Sequence, residues 1–329
     1  MRGKRRNSPE LPDASAGTPE ERRERARQDF TFFRRAYFPH YCLVGGDSRL
    51  HEWLDAELPR MADAPEGVRL AIAAPRGEAK STFVSLFFVL WAVLTGRKHY
   101  ILIIADALEQ AVSLLGAVKD ELEFNEALKR DFPGAGKGHV WNVGTVVTPG
   151  NVKIQALGAG KRMRGLRHGP HRPDLIVLDD LENDGNVDKP EQRDKLQSWL
   201  QKTVLNLGAA DGSMDVVYVG TLLHYDSVLA RTLRKPLWKA RTFRSILRWP
   251  DRMDLWDEWE SLLSSRGEAE ARRFYRQHRA KMEAGAEVSW PASRPLYRLM
   301  CLRVEDREAF DSEQQNDPLS ANEAPFNGC

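Results

Sequence analysis

The chain is poor in cysteine: its 329 residues include only Cys42, Cys301 and Cys329, with no CxxC pair and no zinc-type spacing. That argues against a disulfide framework and fits a reducing compartment. Long apolar runs are also missing. The longest, Phe83–Leu94, is interrupted at Ser85 and too short to span a bilayer, so it reads as a buried helix. The amino terminus is polar and arginine-rich, without the apolar stretch of a secretory signal. No internal repeat is apparent, and a formal charge of +2 gives no overall field of one sign. These features point to a cytoplasmic protein with no membrane partner. His168 and His171 lie three apart in a Gly/Pro/Arg loop without a cysteine, a poor basis for a metal site.

What is present suffices for a substantial core, with 42% of residues hydrophobic and 29% charged. Residues 1–29 read as a disordered, charged tail running into a helix. Residues 30–250 begin with a helical pattern (Leu50, Trp53, Leu54, Leu58) and then alternate strand and helix. Strands are expected at Arg69–Ala74, Tyr100–Ala105, Val152–Leu157, Leu175–Asp179 and Asp215–Gly220. Helices are expected at Lys80–Thr95, Glu109–Glu121, Glu191–Leu205 and Ser227–Leu233, with a hairpin turn at Thr148–Asn151. Alternation with continuous apolar strands predicts an α/β fold, a mostly parallel sheet with helices on both faces. Residues 251–318 read as a small helical linker or lid, and 319–329 as a polar tail.

Two motifs carry chemistry. Ala74–Ser81, APRGEAKS, follows an apolar strand and has the form of a phosphate loop of the Walker A kind. Such a loop offers backbone amides and a helix N-terminus to phosphate. Pro75, Arg76, Gly77, Glu78, Ala79, Lys80, Ser81 and Thr82 would then bind ATP. Lys80 would reach the β and γ phosphates, and the Ser81 hydroxyl would ligate Mg2+. Alanine at 79 replaces the usual glycine, which is tolerable only if that residue keeps φ below zero. The second motif, Leu175–Glu182, is an apolar strand ending in carboxylates, of the Walker B kind. Asp179 falls at the carboxyl edge of a central strand, where ligands bind in such sheets, and is the expected magnesium carboxylate. Asp180 or Glu182 could polarise the attacking water, with reach favouring Glu182. Asp184 reads as a helix cap.

Three further segments are suggestive. Gly160–Arg172 holds Lys161, Arg162, Arg164, Arg167 and Arg172 with no acid; it could supply an arginine finger, Arg164 being the favoured residue, or grip a DNA backbone. Val216–Asp226 ends a buried strand at Gly220–Thr221, where Thr221 could sense the γ-phosphate, with Asp226 as an alternative helix cap. Arg231–Arg252 holds eight cations against the single acid Asp251, a field suited to a polyanion unless it faces the acidic stretch Asp251–Glu260.

The segments APRGEAKST, RGLRHGPHRPDLIVLDDLEND, VGTLLHYDS and FYRQHRAKMEAGAEVSWP…EAFDSEQQNDP, in that order, resemble the large terminase subunit of tailed bacteriophages and prophages from about Phe32 to Pro318. The resemblance implies a P-loop NTPase of the additional-strand, catalytic-glutamate type. Such a motor acts as a homo-oligomeric ring, a pentamer, on the capsid portal protein in the bacterial cytoplasm, works with a small terminase subunit, and pumps double-stranded DNA into the procapsid. Arg76, Lys80 and Ser81 match its phosphate-loop residues, Asp179 its magnesium carboxylate, and Asp180 or Glu182 its catalytic acid. Gly220–Thr221 matches its coupling motif and Arg162–Arg167 the region of its trans-acting finger. Phe38–Leu54 is similar to the segment that helps hold adenine. In the family an RNase H-like nuclease follows; only eleven residues follow Pro318 here, so no nuclease activity is expected of this chain. The competing readings are a small-molecule phosphotransferase on the same core and a non-catalytic DNA-binding assembly subunit.

Overall fold

The computed structural model describes residues 17–42 and 44–318; residues 1–16 of the tail expected at 1–29, and all of the tail expected at 319–329, lie outside the described residues. Eight strands form one sheet: β1 (Arg69–Ala73), β2 (Tyr100–Ala105), β3 (Val140–Trp141), β4 (Thr145–Val147), β5 (Lys153–Gly158), β6 (Leu175–Asp179), β7 (Asp215–Gly220) and β8 (Lys239–Thr242). Their order is β3-β4-β5-β2-β6-β7-β1-β8. The run from β5 to β8 is parallel throughout, while β4 pairs antiparallel with both β3 and β5.

The apolar runs of β2, β6 and β7 follow from burial on both faces. Side chains alternate across a strand. Leu70, Ile72, Ile101, Ile103, Val177 and Val217 therefore pack with Leu86, Leu90 and Leu115 on one side. Ala71, Leu102, Ile104, Ile176, Leu178 and Tyr218 pack with Leu200 and Leu229 on the other. Helix Leu108–Phe124 covers the first face and helix Pro190–Lys202 the second. The helix expected from Lys80 instead opens with wide π-type turns over Thr82–Phe88 before the regular helix Val89–Leu94. Such turns recur at functional sites.

Three elements depart from the sequence pattern. Strand β8 lies in the basic segment, parallel to β1 with its side chains exposed, so charge hid it. Lysine and arginine suit an edge strand because they discourage further pairing. The helix expected to follow the charged tail is Pro19–Gln28, capped by Thr18, and it departs only in being docked on the fold, its Arg22 Nε donating to Asp131 at 2.7 Å. The third is a two-stranded sheet of β9 (Ile246–Arg248) and β10 (Glu287–Val288).

Residues 253–313 supply four helices, Met253–Arg266, Glu268–Met282, Leu296–Glu305 and Arg307–Glu313. They build a core of their own around Trp256, Trp259, Met282, Leu299 and Phe310. The chain then returns to the main sheet: Asn316 accepts from Leu222 N at 2.8 Å and donates to Phe243 O at 2.8 Å. No helix among the described residues is long and apolar enough to cross a membrane.

Candidate functional site

The loop after β1, the tip of β6 and the tip of β7 meet at the carboxyl edge of the sheet, where strand ends open a crevice in such folds. The register sets this up. β7 lies between the other two strands, pairing Ala73 with Gly220 on one side and Asp179 with Val219 on the other. An added Cβ at Gly220 would stand 3.2 Å from Leu229 Cδ2, a tight contact, and 3.4 Å from Asp180 Oδ1, an ordinary one.

Residues Pro75–Lys80 form the loop. Gly77 adopts φ +81° and Ala79 φ +56°. The expectation that Ala79 keeps φ below zero is therefore corrected: alanine stands in the left-handed region, where an L side chain costs about 1–2 kcal/mol. Lys80 Nζ lies 3.2 Å from Thr221 Oγ1 and 3.2 Å from Asp180 Oδ2. Thr221 Oγ1 in turn donates to Ala74 O at 3.2 Å. Ser81 Oγ donates to Asp179 Oδ1 at 2.9 Å, and Ser85 Oγ donates to Oδ2 at 2.5 Å. Asp180 has φ +47°, a second strained non-glycine residue in the crevice.

Asp179 is fully buried. Burial, and then the Asp180 charge, push its carboxyl up to about 6, against the Ser85 and Ser81 hydrogen bonds and the Lys80 charge. A cation at this carboxylate would relieve that penalty. The serine hydroxyl and carboxylate oxygens are the hard donors that magnesium takes, usually with several waters and substrate phosphates in place of an all-protein cage. Among the described residues no group of three or more His, Cys, Asp or Glu side chains is arranged to hold a metal. His168 and His171 face each other in an isolated backbone bridge.

Glu182 points elsewhere. Its carboxylate accepts from Val228 N at 2.7 Å, Leu229 N at 3.1 Å and Tyr218 OH at 3.2 Å, which ties it to the start of helix Val228–Leu233. Burial raises its pKa above the usual glutamate value, with these hydrogen bonds acting the other way. Asp180, not Glu182, contacts Lys80. Reach along the sequence favoured Glu182 as the water-polarising acid, and the docking of the helix that engages it, 46 residues on, was not visible in that reasoning. Asp226 does not cap that helix; Ser227 does, accepting from Ala230 N, while Asp226 pairs with Arg231 and Arg193.

Arg76 is held by the C-terminal segment, its N–H bonded to Glu313 O at 2.9 Å and its guanidinium paired with the Glu313 carboxylate. Glu78, within the loop, is buried and accepts from Ser289 Oγ at 3.2 Å. Arg164 is exposed and lines a depression with Arg172 and Lys202, to which no residue of the Pro75–Lys80 loop contributes. In the basic segment Arg231, Lys239, Arg244 and Arg252 pair with carboxylates, so its field is weaker than the count of cations suggests.

Beside the loop lies a cavity of about 220 Å³ whose walls include Tyr41, Asp47, His51, Ala79, Phe83 and Trp290. His51 stacks on Phe83 at 4.2 Å and 11°, and the Arg34 guanidinium sits 4.8 Å from the Phe83 ring centre. Tyr41, Asp47 and His51 belong to the Phe38–Leu54 segment. Sequence reasoning missed Ser85, Trp290, Arg294 and Glu313 around the loop. The segments SWP and EQQND carried part of the resemblance, but nothing in them announced a contact with the loop.

No family model matches the chain, and no curated protein sequence does. Among solved structures, the ATPase domain of the large terminase of Thermus phage P74-26 aligns with 80% of this chain and 92% of its own, at 15% identity and a TM-score of 0.39. A point mutant of that ATPase domain aligns with 78% of this chain and 90% of its own, at 13% identity and a TM-score of 0.36.

Proposed function

We propose that the chain is an ATPase that drives the translocation of double-stranded DNA, the motor subunit of a terminase-like packaging machine. The observation that carries the hydrolytic part is the convergence of Ser81 on Asp179 and of Lys80 on Asp180 and Thr221 at one sheet edge. The strand order supports the additional-strand subtype, because β7 separates the loop strand β1 from the carboxylate strand β6. The sequence resemblance supports the DNA-packaging part, with a portal protein, a small subunit and a ring of like subunits as partners.

In this reading the adenine enters the cavity between Tyr41, Phe83 and Trp290, and the triphosphate follows the loop amides to Lys80. Asp179 and the Ser81 hydroxyl would hold magnesium, which when bound would supply neutralisation of phosphate charge. Asp180 orients a water and accepts its proton as the water oxygen attacks the γ-phosphorus. The bond from that phosphorus to the β–γ bridging oxygen breaks, and ADP and phosphate leave. Lys80 stabilises the charge on the transferred group. Thr221, bonded to both Lys80 and the loop carbonyl of Ala74, registers the loss of the γ-phosphate. Arg164 remains the proposed finger toward a neighbouring subunit, since its side chain is exposed.

The test is phosphate release from ATP with and without linear duplex DNA. Turnover stimulated by DNA supports the motor. Equal background rates in the wild type and Lys80→Ala reject it and favour a non-catalytic assembly subunit. Transfer of phosphate to a small acceptor would favour the phosphotransferase.

A further inference from the structure

Gly77 is a glycine for two reasons, its φ of +81° and a neighbour: an added Cβ would stand 1.8 Å from Nη2 of Arg294. Arg294 comes from the C-terminal subdomain, in the turn after Trp290 that leads into helix Leu296–Glu305. Its guanidinium thus rests on the middle of the phosphate loop. Its hydrogen-bond acceptor there is a neutral group, Gln314 Oε1, at 2.5 Å. The two nearby carboxylates are engaged with other partners, Glu313 with Arg76 and Glu78 with Ser289. Burial lowers the Arg294 pKa from the usual arginine value, with the charges of Glu78 and Glu313 opposing.

A half-buried guanidinium satisfied by a neutral amide gains from an anion, because charge-assisted hydrogen bonds are about twice as strong as neutral ones. The loop beneath it is built to collect one. We propose that Arg294 is a phosphate-contacting residue delivered in cis by the C-terminal subdomain, exchanging Gln314 for the outer phosphates of a nucleoside triphosphate at Gly77. This rests on the nucleotide-binding reading above, and it adds a cation that neither the loop nor the basic segment Gly160–Arg172 supplies. It also gives the subdomain a direct link to the loop. Gln314 belongs to the strap that bonds Ser245, while the adjoining Asn316 bonds Leu222 and Phe243.

The experiment is equilibrium binding of fluorescent ATP, ADP and AMP analogues to the full chain with magnesium, for wild type, Arg294→Gln and Arg294→Lys. Loss of a hydrogen bond to a charged group predicts ATP affinity about tenfold to a hundredfold weaker in Arg294→Gln. AMP affinity should stay within about twofold, and Arg294→Lys should retain part of the ATP preference. Unchanged ATP affinity, or an equal loss for all three nucleotides, overturns the proposal, the latter marking a purely structural residue. If the wild type binds no ATP, the nucleotide reading itself fails; wild-type binding with an indifferent Arg294→Gln sinks only this inference. A readout that needs no variant is amide exchange over residues 290–296, expected to slow with ATP but not AMP. Equal exchange with both contradicts the proposal.

Discussion

Ser81 Oγ donates to Asp179 Oδ1 at 2.9 Å although 98 residues separate them in the chain. One residue opens the helix after the Pro75–Lys80 loop and the other closes a strand two positions away from β1 in the sheet. Their contact, beside that of Lys80 with Asp180, brings two motifs that are separate in sequence together at one edge of the sheet.

The two candidate bases separate by substitution. Asp180→Asn should lower the ATPase kcat by about 10²–10⁴-fold, the usual contribution of general base catalysis. Glu182→Gln puts an amide donor against the N–H groups of Val228 or Leu229, so it should cost about 1–3 kcal/mol of stability and spare most of the turnover. Kinetics and thermal melts on both variants provide the check. A larger kcat loss in Glu182→Gln would reverse the assignment.

Ala79→Gly removes the cost of alanine at φ +56°. Against about 1–2 kcal/mol of left-handed strain stands about 0.5–1 kcal/mol of extra chain entropy for glycine. The net expectation is a melting temperature higher by about 1–3 °C, with ATP affinity no weaker than wild type. A lower melting temperature would show that the strain lies elsewhere.

Removing the metal should abolish turnover and leave the fold alone. The described residues contain no protein-only metal cage, so a chelator without nucleotide should not move the melting temperature. With ATP added, magnesium should raise the stability through ligand linkage by about 2–3 kcal/mol at a hundredfold excess over Kd, and the melting temperature with it. Unfolding by the chelator alone would point to a structural metal.

Acid stability should depend on Asp131. Burial works against its ionisation, but hydrogen bonds from Arg22, Arg130 and Tyr37 outweigh it and hold the carboxyl well below the usual aspartate range. A depressed folded-state pKa contributes stability that is present above the unfolded value of about 4 and is lost as pH falls toward the folded one. Asp131→Asn should therefore cost about 3 kcal/mol at pH 7, as breaking a buried pair does, and flatten the denaturation profile below about pH 4. Urea melts from pH 3 to 7 would reveal an unchanged slope if this is wrong.

Much of the sheet was legible because its central strands are apolar on both faces: β2, β6 and β7 fall at the residues their composition indicates. Strand β8 was not, since an edge strand carrying Lys239 and Arg241 has no hydrophobic period to detect. At the site, Lys80, Ser81, Asp179 and Thr221 could be picked out because loop and strand-tip chemistry is local in sequence. The orientation of Glu182 could not, because it depends on where helix Val228–Leu233 docks. The covering of the loop by Ser289, Arg294 and Glu313 could not either, since it arises from contacts more than two hundred residues apart.

The most direct test is the steady-state rate of phosphate release from magnesium ATP by the wild type, Lys80→Ala and Asp180→Asn, each with and without linear duplex DNA. The proposed function predicts wild-type turnover that DNA raises severalfold and a loss of about a hundredfold or more in both variants. Identical rates in all three proteins, unmoved by DNA, would contradict it.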